Sequence, residues 1–308
     1  YLEQVTKGSE AVPFEIYQQN GPRPVPGEKF ALVTVSGALM NQADDEAMGQ
    51  DIVIAEDVVE AIQSASEHKR IKAIIVRVDS PGGTPLAADM IRRSIELART
   101  RKPVIISMSN SAASGGYWMS INADKIVAQP MTLTGSIGVF GGKFNVKGVW
   151  NKLGVNWEVF PENGQQDMWS PNRPYSAQSK EKIRMMMETT YATFIRRVSE
   201  GRHLKLAQVE ELAQGRVWTG TQAVANGLVD ALGGMDTAVD LARAQAKIPV
   251  DKNINLEPYP KEQTMFEQIA QLLGSGAPLH MIGSYMVQAF QTSLHMMLTQ
   301  SSLPVLQK

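Results

Sequence analysis

The stretch KAIIVRVDSPGG, Lys72–Gly83, decides the fold class. Lys72–Ser80 is apolar almost without alternation, the pattern of a strand buried on both faces of a parallel sheet. It breaks at SPGG, Ser80–Gly83, and a segment with helical spacing runs from about Leu86 to Arg99. Further along, Pro103–Met108 (PVIISM) is another short buried strand, leading through SNSAAS to Ser114 and a helix start. A third such strand is Ile126–Pro130 (IVAQP). Upstream, FALVTVSGALM (Phe30–Met40) reads as a β-branched strand. Ala55–Ser66 reads as a helix, with Val58, Val59 and Ile62 on one face. Strand–helix–strand alternation predicts βαβ units and a mainly parallel sheet, an α/β domain.

The flanks differ from this centre. Residues 1–27, rich in proline (Pro13, Pro22, Pro24, Pro26), read as a linker entering the domain. Residues 28–250 form the α/β domain and include helical patterns at Ala177–Gly201 and Asp236–Ala246. Residues 251–308 read as a helical C-terminal appendage. Its helices are expected at Gln263–Leu273 and Leu279–Leu298, with methionines suited to oligomer contacts.

Composition narrows the function. With 30 basic and 31 acidic residues and a net charge of -1, no basic excess exists to neutralise phosphates, so nucleic acid is not an expected partner. There are no cysteines, which removes thiol nucleophiles, disulfides and thiolate metal sites. No Walker A motif is present, and GSIGVFGG lacks dinucleotide-fingerprint spacing, so no cofactor or metal is expected. No run of roughly 18 apolar residues that could span a bilayer appears.

The chemistry concentrates in SAASGGYW, Ser111–Trp118. A serine between Ala113 and Gly115 is poorly covered, and a helix N-terminus just after it offers unpaired N–H groups to a developing oxyanion. The turn is close to a nucleophile elbow, although Ala112 stands where G-x-S-x-G has its first glycine. Taken alone, the motif favours an N-cap serine before a glycine-tolerant helix. SPGG shifts that balance, because paired glycines let a backbone N–H approach a ligand. Gly83 and Gly115 together could donate the two N–H groups of an oxyanion hole. A base is harder to find. His68, His203, His280 and His295 lack a convincing setting, and Lys143, Lys147 and Lys152 read as solvated surface lysines.

In this order and spacing SPGG, SAASGGYW, TLTGSIGVFG and RVWTGTQAVANGLVDALGG (Arg216–Gly234) resemble the signal peptide peptidase A family. The resemblance covers roughly Phe30 to Ala246. It implies a Clp protease/crotonase-type fold of repeated β-β-α units and a Ser/Lys peptidase acting on apolar peptides such as cleaved signal peptides. It further implies a homo-oligomeric ring, and a membrane anchor outside this sequence. The expected location is the bacterial inner membrane, with the catalytic domain on the periplasmic or extracytoplasmic side. Position by position, it makes Ser114 the nucleophile, Ser136 the serine that orients the lysine base, and Gly83 and Gly115 the oxyanion donors. The lysine itself does not carry over: Gln166 occupies its short-form position, before the D-x-x-S-P sequence that ends at Pro171. Long forms carry the lysine in the first of two tandem copies. A first residue other than methionine and Gln166 both fit the serine-bearing second half, with the base supplied by an N-terminal half. The rival readings are a crotonase-like acyl-CoA enzyme and a non-catalytic scaffold half.

Overall fold

The computed structural model describes residues 26–42, 51–157 and 167–260. Its strands are β1 (Glu28–Ser36), β2 (Ala38–Met40), β3 (Ile52–Ile54), β4 (Ile71–Ser80) and β5 (Val104–Ala113), then β6 (Lys125–Ala128), β7 (Leu133–Gly135), β8 (Val217–Thr219), β9 (Ala231–Leu232) and β10 (Ile254–Tyr259). Its helices are α1 (Ala55–Glu67), α2 (Pro85–Ala98), α3 (Gly115–Ser120) and α4 (Lys147–Lys152), then α5 (Ala177–Arg202), α6 (Leu206–Leu212), α7 (Gly220–Ala225) and α8 (Met235–Gln245).

The apolar runs form the middle of one eight-stranded sheet, ordered β10-β1-β4-β5-β6-β9 with every neighbouring pair parallel. β7 extends it beside the second half of β5 and is antiparallel to β8. β4 explains the unalternating sequence. Its Ile74, Val76 and Val78 enter a core with Ile62 of α1, Ile91 of α2 and Trp118 of α3. Its Ala73 and Ile75 face the opposite layer, where Ala238 and Ala242 of α8 cover them. Ile74, Ile75, Val76 and Val78 are all fully buried, at about 1.5–3 kcal/mol each. The α/β class and the mainly parallel sheet predicted from sequence are therefore present.

The expected strand Phe30–Met40 is broken at Gly37, whose φ of +122° turns the chain out of the sheet. A Cβ there would stand 2.6 Å from the Asp51 carbonyl carbon, so glycine is required. Beyond the turn, β2 pairs with β3 in a separate two-stranded sheet, and Leu39 bridges to Gly83. At the other end β10 pairs with β1, which brings residues 254–259 into the sheet past the expected boundary at 250. The helices expected at Gln263–Leu273 and Leu279–Leu298, and the linker residues before Pro26, lie outside the described residues. Among the described residues no helix is long and apolar enough to cross a membrane.

Candidate active site

The site forms where β4 and β5 end. Pairing runs evenly to Val78–Met108, then jumps to Ser80–Ala112, so β5 bulges there. Asp79 closes the bulge: its carboxylate accepts from the Ser111 N–H (3.1 Å) and the Asn110 amide (2.7 Å). The bulge re-aims the last residues of β5 toward the SPGG turn.

Ser114 follows directly, with φ 51° and ψ −117°, a conformation that non-glycine residues rarely hold. Its backbone is fixed on both sides. The N–H donates to the Gly135 carbonyl (2.9 Å), and the carbonyl accepts from the Trp118 N–H (2.8 Å). Ser114 occupies the N-cap position of α3, yet its hydroxyl makes no cap hydrogen bond. The strained turn thus does not spend the hydroxyl on the helix.

The two glycine-rich strand ends meet. A Cβ on Gly82 would stand 2.8 Å from the Gly115 nitrogen and 2.9 Å from the Ser114 Cβ. A Cβ on Gly115 would stand 3.0 Å from the Gly83 nitrogen. Glycine is required at 82 and eases a tight contact at 115, and this approach brings the Gly83 and Gly115 nitrogens beside the serine. Neither N–H donates to a protein acceptor among the described turns, while the neighbouring Leu39, Gly82 and Thr84 N–H groups are satisfied.

β5 and β7 are parallel, with Ala113 opposite Gly135, so Ser136 lies beside Ser114 one residue past each strand end. Ser136 also has a positive φ, 48°, and its N–H donates to the Arg216 carbonyl (2.8 Å). Both serines line an open groove of about 1050 Å³ together with Gly83. Its walls are largely apolar: Ala38 and Met40 of β2, Val139 and Phe140 after β7, and Met187 and Tyr191 of α5.

Sequence reading missed the α5 wall. The helical pattern expected over Ala177–Gly201 divides in the structure. Phe194 and Val198 are buried, whereas Met187 and Tyr191 are half-exposed along the groove.

No lysine or histidine lines the groove among the described residues. Lys147 and Lys152 are exposed. Lys143 departs from the expected solvated state: its ammonium donates to the Asp167 and Ser170 carbonyls and lies 4.3 Å from the Tyr175 ring centroid. His68 and His203 cap the C-termini of α1 and α5. Gln166 lies outside the described residues.

A serine on a strained strand-to-helix turn, beside two glycine nitrogens and an apolar groove, gives this α/β domain the parts for acyl transfer. The chain belongs to peptidase family S49, whose family model matches residues 96–249. It is 36% identical over 249 residues to the chloroplastic serine protease SPPA of Arabidopsis thaliana, a match covering 80% of this chain and 37% of that protein. It is 37% identical over 244 residues to Protease 4 of Salmonella typhi, covering 79% and 38%. With a putative signal peptide peptidase SppA of Enterococcus faecium it shares 31% over 237 residues, covering 76% and 68%. The chain thus matches less than two fifths of the length of the first two relatives. Among solved structures, a mutant ClpP1 from Listeria monocytogenes aligns with a TM-score of 0.43 and 16% identity, over 66% of this chain and 91% of that one.

Proposed function

We propose that this chain is the serine-bearing unit of a peptidase for apolar peptides such as cleaved signal peptides, with Ser114 as nucleophile. The observation that carries the reading is the Ser114 hydroxyl, held on a strained turn at a helix N-terminus without a cap hydrogen bond. A serine serving as an ordinary cap would accept from the first turn.

In this reading the Ser114 Oγ attacks the scissile carbonyl. The tetrahedral oxyanion takes hydrogen bonds from the Gly83 and Gly115 N–H groups. A neutral lysine amine takes the Oγ proton and passes it to the leaving amine, and Ser136 orients that amine. Burial would lower the lysine pKa enough for this work. The lysine comes from a tandem N-terminal half. Two points support that source: no lysine lines the groove among the described residues, and the resemblance puts Gln166 at the short-form lysine position. A crotonase-like role has less support, because Asp79 is committed to the β5 bulge and Glu188, the one lining carboxylate among the described residues, is paired with Arg184 at 2.5 Å.

Exposed apolar side chains at Phe140 (95%) and Phe144 (90%) suit a face covered in a homo-oligomeric ring. We place the assembly at the extracytoplasmic side of the bacterial inner membrane, held by an anchor outside this sequence. The test compares hydrolysis of an apolar peptide by the 308-residue chain with hydrolysis by the chain joined to its natural upstream sequence. Activity confined to the joined protein, and abolished by changing one upstream lysine, is expected. Full activity of the isolated chain, lost on changing Lys143, Lys147 or Lys152, would refute the tandem source of the base.

A further inference from the structure

We propose that Asp89 is a positioning residue: through the Trp118 indole it holds the Gly83 and Gly115 N–H groups at the spacing an oxyanion requires. The inference rests on the reading of Ser114 as nucleophile.

Each N–H belongs to a chain segment that runs straight into a helix. Gly83 is followed by Thr84, which caps α2 by accepting from the Ala87 N–H, and Gly115 is the first residue of α3. The distance between the two donors therefore depends on how α2 and α3 sit on each other. Apolar contact alone leaves some freedom to slide, since dispersion is non-directional. The helices touch near their starts, where a Cβ on Gly115 would stand 3.4 Å from the Ala88 Cβ.

One directional tie crosses this contact. The Trp118 Nε1–H donates to Asp89 Oδ1 at 3.0 Å. Trp118 is itself held, 5% exposed and stacked on Phe194 of α5 with ring centroids 4.5 Å apart. The acceptor is held as firmly. Arg92 Nε donates to the same Asp89 oxygen at 2.6 Å, and Arg92, 2% exposed, also reaches Glu96 at 3.2 Å. Arg197 of α5 stands 3.8 Å from that oxygen. A charged acceptor in a partly desolvated place makes the indole hydrogen bond stronger than a neutral one. If Asp89 served only Arg92, an ordinary i,i+3 pair within α2 would suffice and no bond to α3 would be needed.

The consequence is specific to the transition state. Oxyanion donors act within a narrow window of about 2.7–3.1 Å, so relaxing the α2–α3 tie weakens a contact made only after attack. Such a loss lowers kcat and leaves KM nearly unchanged.

The experiment uses the full-length protein with Trp118→Phe, Asp89→Ala, the double variant, Asp89→Asn and Ser114→Ala. It measures kcat and KM on an apolar peptide, and inhibition by a peptide aldehyde that forms a tetrahedral adduct with a serine. Trp118→Phe keeps an aromatic ring against Phe194 and removes the indole donor together with the volume of its second ring. We expect its kcat to fall about tenfold, less than loss of a whole donor, with aldehyde affinity falling in parallel and KM within about twofold. The double variant should be no worse than Asp89→Ala, and Asp89→Asn, which keeps an acceptor, should recover most of kcat. If Asp89→Ala does not fold, Trp118→Phe and Asp89→Asn decide the matter. A folded Trp118→Phe enzyme with unchanged kcat, or with its loss confined to KM, would overturn the proposal. Activity surviving Ser114→Ala would instead overturn the reading on which it rests.

Discussion

Replacing Gly83 by alanine should damage both catalysis and stability, and the structure gives the size of each effect. An added Cβ would stand 2.5 Å from the Leu39 nitrogen and closer still to its carbonyl oxygen. Both are backbone atoms, so relief requires the SPGG turn to withdraw from β2. Two hydrogen bonds hold them together, Leu39 N–H to Gly82 O (2.8 Å) and Thr84 N–H to Leu39 O (2.9 Å). At about 1 kcal/mol net each, breaking both costs about 2 kcal/mol of stability. The withdrawal also carries the Gly83 N–H away from Ser114. Loss of one oxyanion donor lowers kcat by about 10²–10³. Gly115→Ala should be milder, about tenfold, because its Cβ meets the Gly83 nitrogen at 3.0 Å and the neighbour need yield only slightly. Steady-state hydrolysis of an apolar peptide by the full-length protein, with urea unfolding alongside, measures both effects. A folded Gly83→Ala enzyme within about threefold of the parent kcat would refute the reasoning, as would a larger loss in Gly115→Ala.

Two further predictions concern the scaffold. The Ser176 N–H, outweighing desolvation and aided by the Ser179 hydroxyl, holds the Asp167 carboxyl down to about 2 from its ordinary 3.8. A depressed carboxyl stabilises the fold above its unfolded value and loses that contribution as pH falls through its folded one. Urea unfolding should therefore show stability declining from about pH 4 toward pH 2, with a shallower decline in Asp167→Asn. Tyr117 is fully buried and donates to the Leu228 carbonyl at 2.9 Å. Tyr117→Phe strands that carbonyl and should cost about 1–2 kcal/mol in the same assay.

The residues that were legible in the sequence are those whose role is set locally. β4 declares burial on both faces through Ile74, Ile75 and Val76, and the strand-to-helix turn at Ser114 declares itself by its small residues, although that motif alone reads as an N-cap. SPGG is readable because only glycine tolerates such close backbone contact. What depends on distant pairing was not readable. β10 carries Pro258 and Glu257 at the sheet edge and lacks an apolar run, and its partner β1 is more than 200 residues earlier in the sequence. The adjacency of Ser136 to Ser114 follows from the register of β7 on β5, which no local pattern encodes; only the resemblance pointed to it. Lys143 looked like a solvated lysine because the carbonyls it meets, Asp167 and Ser170, come from a separate loop. The groove wall on α5 is not legible because half-burial against a cleft has the same periodicity as full burial.

The central claim is that Ser114 is the nucleophile. Its most direct test is peptide mapping by mass spectrometry of the full-length protein after reaction with a serine-reactive fluorophosphonate. One phosphonylated residue, Ser114, is expected, with labelling and peptide hydrolysis both lost in Ser114→Ala. An adduct on another serine, or hydrolysis that persists in Ser114→Ala, would contradict it.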